Sequence, residues 1–487
     1  MSHDLTVQSK QIERIPWGLI FTTAIGLAAY LGMAILDYQQ GTLRDGNVPY
    51  TLGWYAIAFV GYLLAIIWVE TEHKSPVILI WGAAILFRLL LLFTVPTLSD
   101  DVYRYIWDGY VANNGVSPYA HAIDSPELDY LDVPIRALAN NRWMASPYLP
   151  TAQWLFFSLT GILPRSPLFF QIAMVVFDLL AALLIAKLLA LVKQPDYRIL
   201  IYLWNPLIVV EVAHGAHVDA LMAFLALLAI WLTFSPNKEK KRLYHWLAPI
   251  ALALATLTKI LPAFLLTVLF WRWSWRQLFL YGALVISLML PYGFTAGWGL
   301  TGPLDGTGVF GAIRIYADQW NFNSGLFYWL VNEQLADLDI DEPLDRAKQI
   351  VSLGLLLVLG AVWIIAYKQS TILAALRLMA IPYMTYLLFT TTVHPWYALV
   401  LLIFLPFLAP QPKVESLWRW LFLLPWLYLS ATLAISYITY INPARFGEWP
   451  WVRKVEWIPT WGLVGLSLMI GLIGVVTKRW EARKLGN

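Results

Sequence analysis

Long, nearly uncharged apolar runs separated by short polar segments recur along the chain from Pro16 to Thr477. A bilayer-spanning helix needs roughly 20 mostly apolar residues, and in lipid only helices or closed barrels satisfy every backbone group. These runs are continuous rather than alternating, so helices are predicted over a barrel. Spans are placed at about 16 to 36, 50 to 70, 76 to 96, 167 to 186, 199 to 213, 216 to 235, 245 to 258, 260 to 271, 277 to 294, 349 to 367, 371 to 391, 396 to 410, 417 to 440 and 458 to 477. That gives an all-α polytopic membrane protein with about 14 (12–14) transmembrane helices. The stretch "YLPTAQWLFFSLTGILP", residues 148 to 164, is short and reads as a helix lying at one surface. No segment is long and polar enough for a separate soluble domain, so residues 1–487 are expected to form one membrane domain.

Composition agrees: 60% of the 487 residues are hydrophobic, and net charge is only +3. Without cysteine, disulfides and thiol catalysis are excluded. The first run is too long for a signal-peptide core and reads as a retained span.

Placement of the charges matters more than their sum. Lys and Arg concentrate on the cytoplasmic side of membranes. With a cytoplasmic N-terminus, "NKEKKR" (Asn237 to Arg242), Arg272, Arg276 and "KRWEARK" (Lys478 to Lys484) fall inside, along with the C-terminus. Residues 97–165 then form the first large extracytoplasmic loop. "AHGAHVD" (Ala213 to Asp219), Lys259, "VHPWY" (Val393 to Tyr397) and residues 442–457 emerge on the same face. The short cytoplasmic loops carry no Gly-rich phosphate loop, so the substrate is expected outside or dissolved in the bilayer. No nucleic-acid partner is expected.

On that outer face stands "SDDVYRYIWDGYVANNGVSPYAH", Ser99 to His121, predicted as a surface helix from Asp100 to Asn113 with Ser99 as its N-cap. One acid would serve for capping and the helix dipole. Two adjacent carboxylates with Arg104 one turn on look like a reactive acid and its positioning partner.

The stretch "SDDVYRYIWDGYVANNGVSPY" resembles the first outer loop of GT-C glycosyltransferases, and in particular their bacterial mannosyltransferase-like branch. "YLPTAQWLF", "WNPLIVVEVAHGAHVDALM", "LTKILP" and "VHPWYALV" follow in the expected order, so the resemblance covers most of residues 80 to 410. The two spans ahead of the motif's own helix depart from members whose catalytic loop follows the first helix. The resemblance implies a GT-C fold and a polyprenyl-phosphate sugar donor, with mannose as the first guess. It also implies an extracytoplasmic glycan or glycolipid acceptor and an inverting transfer. In that superfamily an Asp early in this loop deprotonates the acceptor hydroxyl; Asp100 and Asp101 are the candidates, with Asp100 slightly favoured as the first acid.

Inverting transfer also needs charge stabilisation on the departing phosphate. Lys259 at the helix break beside Pro262, His394 and Arg104 are the candidate donors. Tyr103, Asp108, His217, Asp219 and Tyr397 are candidate substrate contacts. No cofactor is required by this chemistry. Some GT-C enzymes use a divalent metal, for which Glu211 and His214 are the candidate ligands beside the two acids. Asp178 lies inside a span, where a charge costs about 2.5–3.5 kcal/mol on insertion scales, so a buried partner is expected. Trp449, Trp451 and Trp457, with Arg445, Arg453 and Lys454, read chiefly as interface anchors of the last outer loop. "NFNSGLFYW" (Asn321 to Trp329) is predicted to add a second surface helix.

Two rival readings are a lipid-linked oligosaccharide ligase or polymerase and a transporter. Polar groups gather at one face rather than at the midplane, and no repeat is visible in the hydropathy, which argues against the transporter. The Asp pair argues for a monosaccharide transferase.

Overall fold

The computed structural model describes residues 15–73, 76–131, 133–302, 304–335, 343–410, 417–441 and 450–485. Its long helices follow the apolar runs. They are α1 (Trp17–Gln40), α2 (Val48–Glu72), α3 (Val77–Leu92), α4 (Asp101–Asn113), α5 (Pro150–Ile162), α6 (Pro167–Leu191), α7 (Asp219–Phe234), α8 (Lys241–Thr256), α9 (Trp275–Ala296), α10 (Pro343–Tyr367), α11 (Ile372–Phe389) and α12 (Pro450–Leu485). Among the described residues the extended pairing is an isolated bridge between Phe322 and Thr392. The chain is an all-α, multi-pass membrane protein.

Eight helices among the described residues are long and apolar enough to cross a membrane, or nine if the bent pair Pro206–His214 and Asp219–Phe234 is one span. The count of fourteen is therefore not confirmed. Several of the predicted spans, 199 to 213, 260 to 271 and 396 to 410, are built from short helical pieces rather than one rod. Pro206, Pro262 and Pro406 interrupt them, each removing a backbone donor. The outer helices α9 and α10 turn Phe279, Ile286, Phe294, Leu353, Leu356 and Leu357 outward, as a lipid-facing surface requires.

Asp178 has the expected partner. Arg88 donates from Nε to Asp178 Oδ2 at 2.5 Å, and Tyr202 donates to Oδ1 at 2.6 Å. Arg88 also donates to the Ala84 and Leu203 carbonyls, so the charge is distributed over four acceptors and donors inside the bundle. A second buried pair, Arg198 with Glu70 at 2.8 Å, ties α2 to the segment before residue 200.

The surface helix of the first loop forms one residue later than predicted, from Asp101. The N-cap position belongs to Asp100, whose carboxylate makes no cap bond. It is drawn away by Arg44, at 2.8 Å, while Ser99 Oγ accepts from the Asp101 amide at 3.3 Å. Helices α4 and α5 touch backbone to backbone, because a Cβ on Gly109 would stand 2.3 Å from the Phe156 carbonyl oxygen. Asn113 donates to Phe157 O and Thr160 Oγ1, and Tyr105 stacks on Phe156, which closes the contact. The helix predicted near 321–329 is present as Leu326–Trp329, continued by a π-turn over Leu330–Gln334.

Candidate active site

The acids at the head of α4 part company immediately. Asp100 is paired with Arg44, 56 residues earlier in sequence, and that guanidinium lies 5.1 Å from the centre of the Tyr440 ring. Tyr103, one turn on, is half-buried beside this pair. Asp101 turns the other way. Its Oδ1 accepts from Asn140 Nδ2 at 2.7 Å, and its Oδ2 stands 3.7 Å from His217 Nδ1. Burial pushes the Asp101 carboxyl above the ordinary carboxylate range, while Lys259 and the Asn140 hydrogen bond pull partly against that.

His217 is placed by an unusual piece of backbone. The helix entering the site ends in a π-turn over Val210–His214, a form frequent at functional sites. Ala216 then takes a left-handed φ of +54°, which a non-glycine residue adopts only at a cost of roughly 1–2 kcal/mol. Gly215 is needed for close approach: a Cβ there would lie 2.8 Å from both Glu211 O and His217 Cδ2. The turn folds His217 back over Glu211, Nε2 to Oε2 at 3.2 Å, and Tyr437 donates to both Glu211 oxygens. His217 is fully buried, and neither ring nitrogen has a hydrogen-bond partner.

A column of rings runs on from it. His217 stacks on Trp396 at 4.0 Å, Trp396 on His394 at 4.5 Å, and His394 on Phe322 at 4.7 Å. The Phe322–Thr392 bridge sets the chain just ahead of His394. Burial, helped by the Lys259 charge, lowers the His394 pKa to about 3, so this imidazole is neutral at physiological pH. It can offer an N–H to an anion but no charge.

Beside the column, Lys259 Nζ reaches both Asp219 oxygens, at 2.9 and 2.6 Å, and lies 5.2 Å from the centre of the Tyr397 ring. The lysine remains 19% exposed at its side chain whereas Asp219 is buried, so one cation keeps access to the site. Asp101, His217, Glu211, Asp219, Lys259, His394 and Tyr397 are thus brought together from four separate stretches of chain.

Arg104 and Asp108 are not part of this cluster's open side. They form a buried i,i+4 pair at 2.9 Å. Arg104 also donates to the carbonyls of Asn140, Asn141 and Met144, and Asp108 accepts from Ser146 and Gln153. Beyond their mutual pair, Arg104 Nη1 and Nη2 and Asp108 Oδ2 are engaged with the 140–153 segment. Their structural effect is to hold Asn140 against Asp101.

The proposed metal ligands fare differently from one another. His214 sits with Nδ1 on Thr94 Oγ1 at 2.7 Å, while its Nε2 accepts the amides of Thr97 and Leu98. A ligating imidazole needs a free lone pair, and this one is occupied by backbone. Among the described residues no group of three or more His, Asp or Glu could hold a metal ion. His214 instead pins the segment that leads into Asp100 and Asp101.

Sequence reasoning missed Arg44, Asn140, Trp396 and Tyr437. Arg44 looks like any loop arginine, and only the fold sets it against Asp100. Trp396 had a weak signal in "VHPWY". In the last outer loop Trp457 is buried and donates to Asn323 O at 3.1 Å, while Trp451 is exposed. Trp449 and Arg445 lie outside the described residues.

Neither the curated proteins nor the solved structures compared with the chain yield a match. A family model described as the alpha-(1->6)-mannopyranosyltransferase N-terminal domain (MptA_B family) matches residues 17–275, a stretch that includes Arg44, Asp101, His217, Asp219 and Lys259. More than half of the chain lies within that match, and the protein therefore belongs to this GT-C-type mannosyltransferase family.

Proposed function

We propose that this glycosyltransferase moves mannose from a polyprenyl-phosphate donor to an acceptor hydroxyl on the extracytoplasmic side of the plasma membrane, with Asp101 as general base. Both termini are cytoplasmic in this reading. The observation that carries it is the division between the two acids: Asp100 is engaged by Arg44, whereas Asp101 faces the His217–Trp396 column within reach of Lys259.

The acceptor O–H proton passes to the Asp101 carboxylate as its oxygen bonds to the sugar's anomeric carbon. The bond from that carbon to the phosphate oxygen breaks, and the polyprenyl phosphate departs with the electron pair. Inversion follows from attack opposite the leaving group. Charge on the departing phosphate is met by Lys259, with Arg44 as a second cation and His394 as a neutral donor. Asp219 keeps the lysine ammonium in place, and Asn140 fixes the carboxylate's orientation. Arg104, paired with Asp108 and donating to the Asn140 carbonyl, acts on the phosphate only indirectly, as a positioning residue through Asn140. No step requires a metal, and the engagement of His214 by backbone amides supports that.

The test uses purified protein in nanodiscs with radiolabelled polyprenyl-phosphate mannose and a panel of lipid and glycan acceptors. Transfer by wild type and by Asp100→Asn at a modestly reduced rate, with a folded Asp101→Asn slowed by about 10² to 10⁴-fold, supports the assignment. Full activity of Asp101→Asn removes it. A wild type that consumes no polyprenyl-phosphate sugar removes the donor.

A further inference from the structure

We infer that the protein carries a second binding site, for the phosphoryl headgroup of an anionic membrane lipid, at the end of the bundle opposite Asp101. Helix α7 bears Asp219 at its first residue, and its last turn walls a separate cavity of about 320 Å³. Sixteen residues at 1.5 Å each put roughly 24 Å between the two places. Helix α8 runs back over the same distance, so that Lys241 lines the cavity while the chain just past its other end carries Lys259.

The charged residues of the lining are all basic. Lys238, Lys241 and Arg272 contribute three cations, and Tyr244, His245 and Trp273 add aromatic and N–H surface. No carboxylate is among the residues that line it. Arg272 is anchored by Nη2 on the Gln369 carbonyl and lies against the Phe234 ring, yet its Nε is buried without a partner. A buried guanidinium N–H without an acceptor is costly, and a guanidinium on the cavity lining matches the charge and fork geometry of a phosphoryl group. Lys238 and Lys241 are exposed at the mouth, where two further charges can reach the same group.

The surroundings favour a lipid over a soluble anion. Trp246 and Leu247 follow His245, and Trp275 and Phe279 flank Gln277, another lining residue; all four are exposed. They give acyl chains an apolar wall beside the charged pocket. Basic pockets between membrane helices bind anionic headgroups by this combination. Inorganic phosphate shares the headgroup's chemistry but gains nothing from that wall.

Full-length protein purified in detergent with equal phosphatidylglycerol and phosphatidylcholine is compared by native mass spectrometry with the Lys238→Gln/Lys241→Gln variant. Arg272→Gln is avoided as the primary variant because Arg272 also holds the Gln369 carbonyl. Phosphatidylglycerol is expected to be retained over phosphatidylcholine by wild type, and the variant to lose roughly tenfold or more of that preference. Inorganic phosphate is titrated in a third arm. Thermal protection by phosphate without any lipid preference assigns the cavity to a soluble anion and overturns the lipid site. Equal retention of both lipids, or a preference unchanged in the variant, overturns it as well. Mannosyl transfer is not needed for any of these readouts.

Discussion

Asp101 Oδ2 stands 3.7 Å from His217 Nδ1, and His217 in turn stacks on Trp396 with its Nε2 3.2 Å from Glu211. The ring is fully buried with no hydrogen bond to either nitrogen, an arrangement that native proteins rarely keep without a use. An acceptor hydroxyl entering beside Asp101 would supply the missing partner. His217→Ala is therefore expected to lower kcat by about 10²-fold, the scale of a misplacement near 1 Å, with a smaller change in donor KM. Steady-state kinetics that show a raised KM at unchanged kcat would instead make His217 a binding contact alone.

The pH profile tests the base directly. Burial raises the Asp101 pKa above its ordinary 3.8. Because the base works only when ionised, activity is present above the raised pKa and lost as pH falls through it. The acid limb of kcat/KM is thus expected above the usual carboxylate range. Lys259 pulls that pKa down, so Lys259→Met should move the limb to still higher pH, apart from any loss in rate. An unmoved limb in this variant separates Asp101 from the observed titration.

The same shift has a stability consequence of definite sign. An acid whose folded pKa lies above its unfolded pKa binds more protons when folded, so stability declines as pH rises between the two values. Above its raised pKa the ionised Asp101 therefore burdens the fold. Asp101→Asn is expected to lose about 10² to 10⁴-fold in turnover while melting no lower than wild type. Thermal unfolding at pH 7 checks this; a melting point well below wild type would mean that the carboxylate holds structure rather than chemistry.

Much of this was legible in the chain. The apolar runs define the long helices, and the positions of Asp101, His217, Asp219, Lys259, His394 and Tyr397 in separate polar breaks already pointed to one meeting place. The choice between Asp100 and Asp101 was not legible, since it depends on an arginine 56 residues away whose own segment carries no signal. Arg104 and Asp108 could be read as an i,i+4 pair, but not as a clamp on residues 140–153, because loop backbone has no periodicity to read. His214 and Glu211 looked like ligands from their spacing, whereas the π-turn and the left-handed Ala216 send their side chains to different partners. Span number is not confirmed for a related reason: Pro and polar breaks within apolar runs divide them into short helical pieces, and eight or nine helices among the described residues are long and apolar enough to cross by themselves.

That backbone yields a paired prediction. In Gly215→Ala the new methyl meets Glu211 O and the His217 ring at 2.8 Å, so His217 must move off Asp101 and Glu211. Strong loss of transfer is expected together with a lowered melting temperature. Ala216→Gly relieves a left-handed alanine, worth roughly 1–2 kcal/mol, but adds freedom to the unfolded chain, worth roughly 0.4–1 kcal/mol, and the two effects oppose each other. Near-wild-type stability is expected there. Equal tolerance of both substitutions would show that the turn does not set the histidine.

The Arg88–Asp178 pair offers a control far from the chemistry. Both charges are buried between α3 and α6, and Tyr202 completes the carboxylate's hydrogen bonding. Removing one member leaves the other charged and unpaired in the interior, a change that typically costs about 3–5 kcal/mol. Replacing both by apolar residues removes the desolvation penalty with the attraction, so the double variant should recover much of the loss. Thermal unfolding of Arg88→Met, Asp178→Leu and the combined variant in one detergent measures the coupling between them. Additive losses would mean that the two charges are stabilised by their other partners, the Ala84 and Leu203 carbonyls and the Tyr202 hydroxyl, rather than by each other.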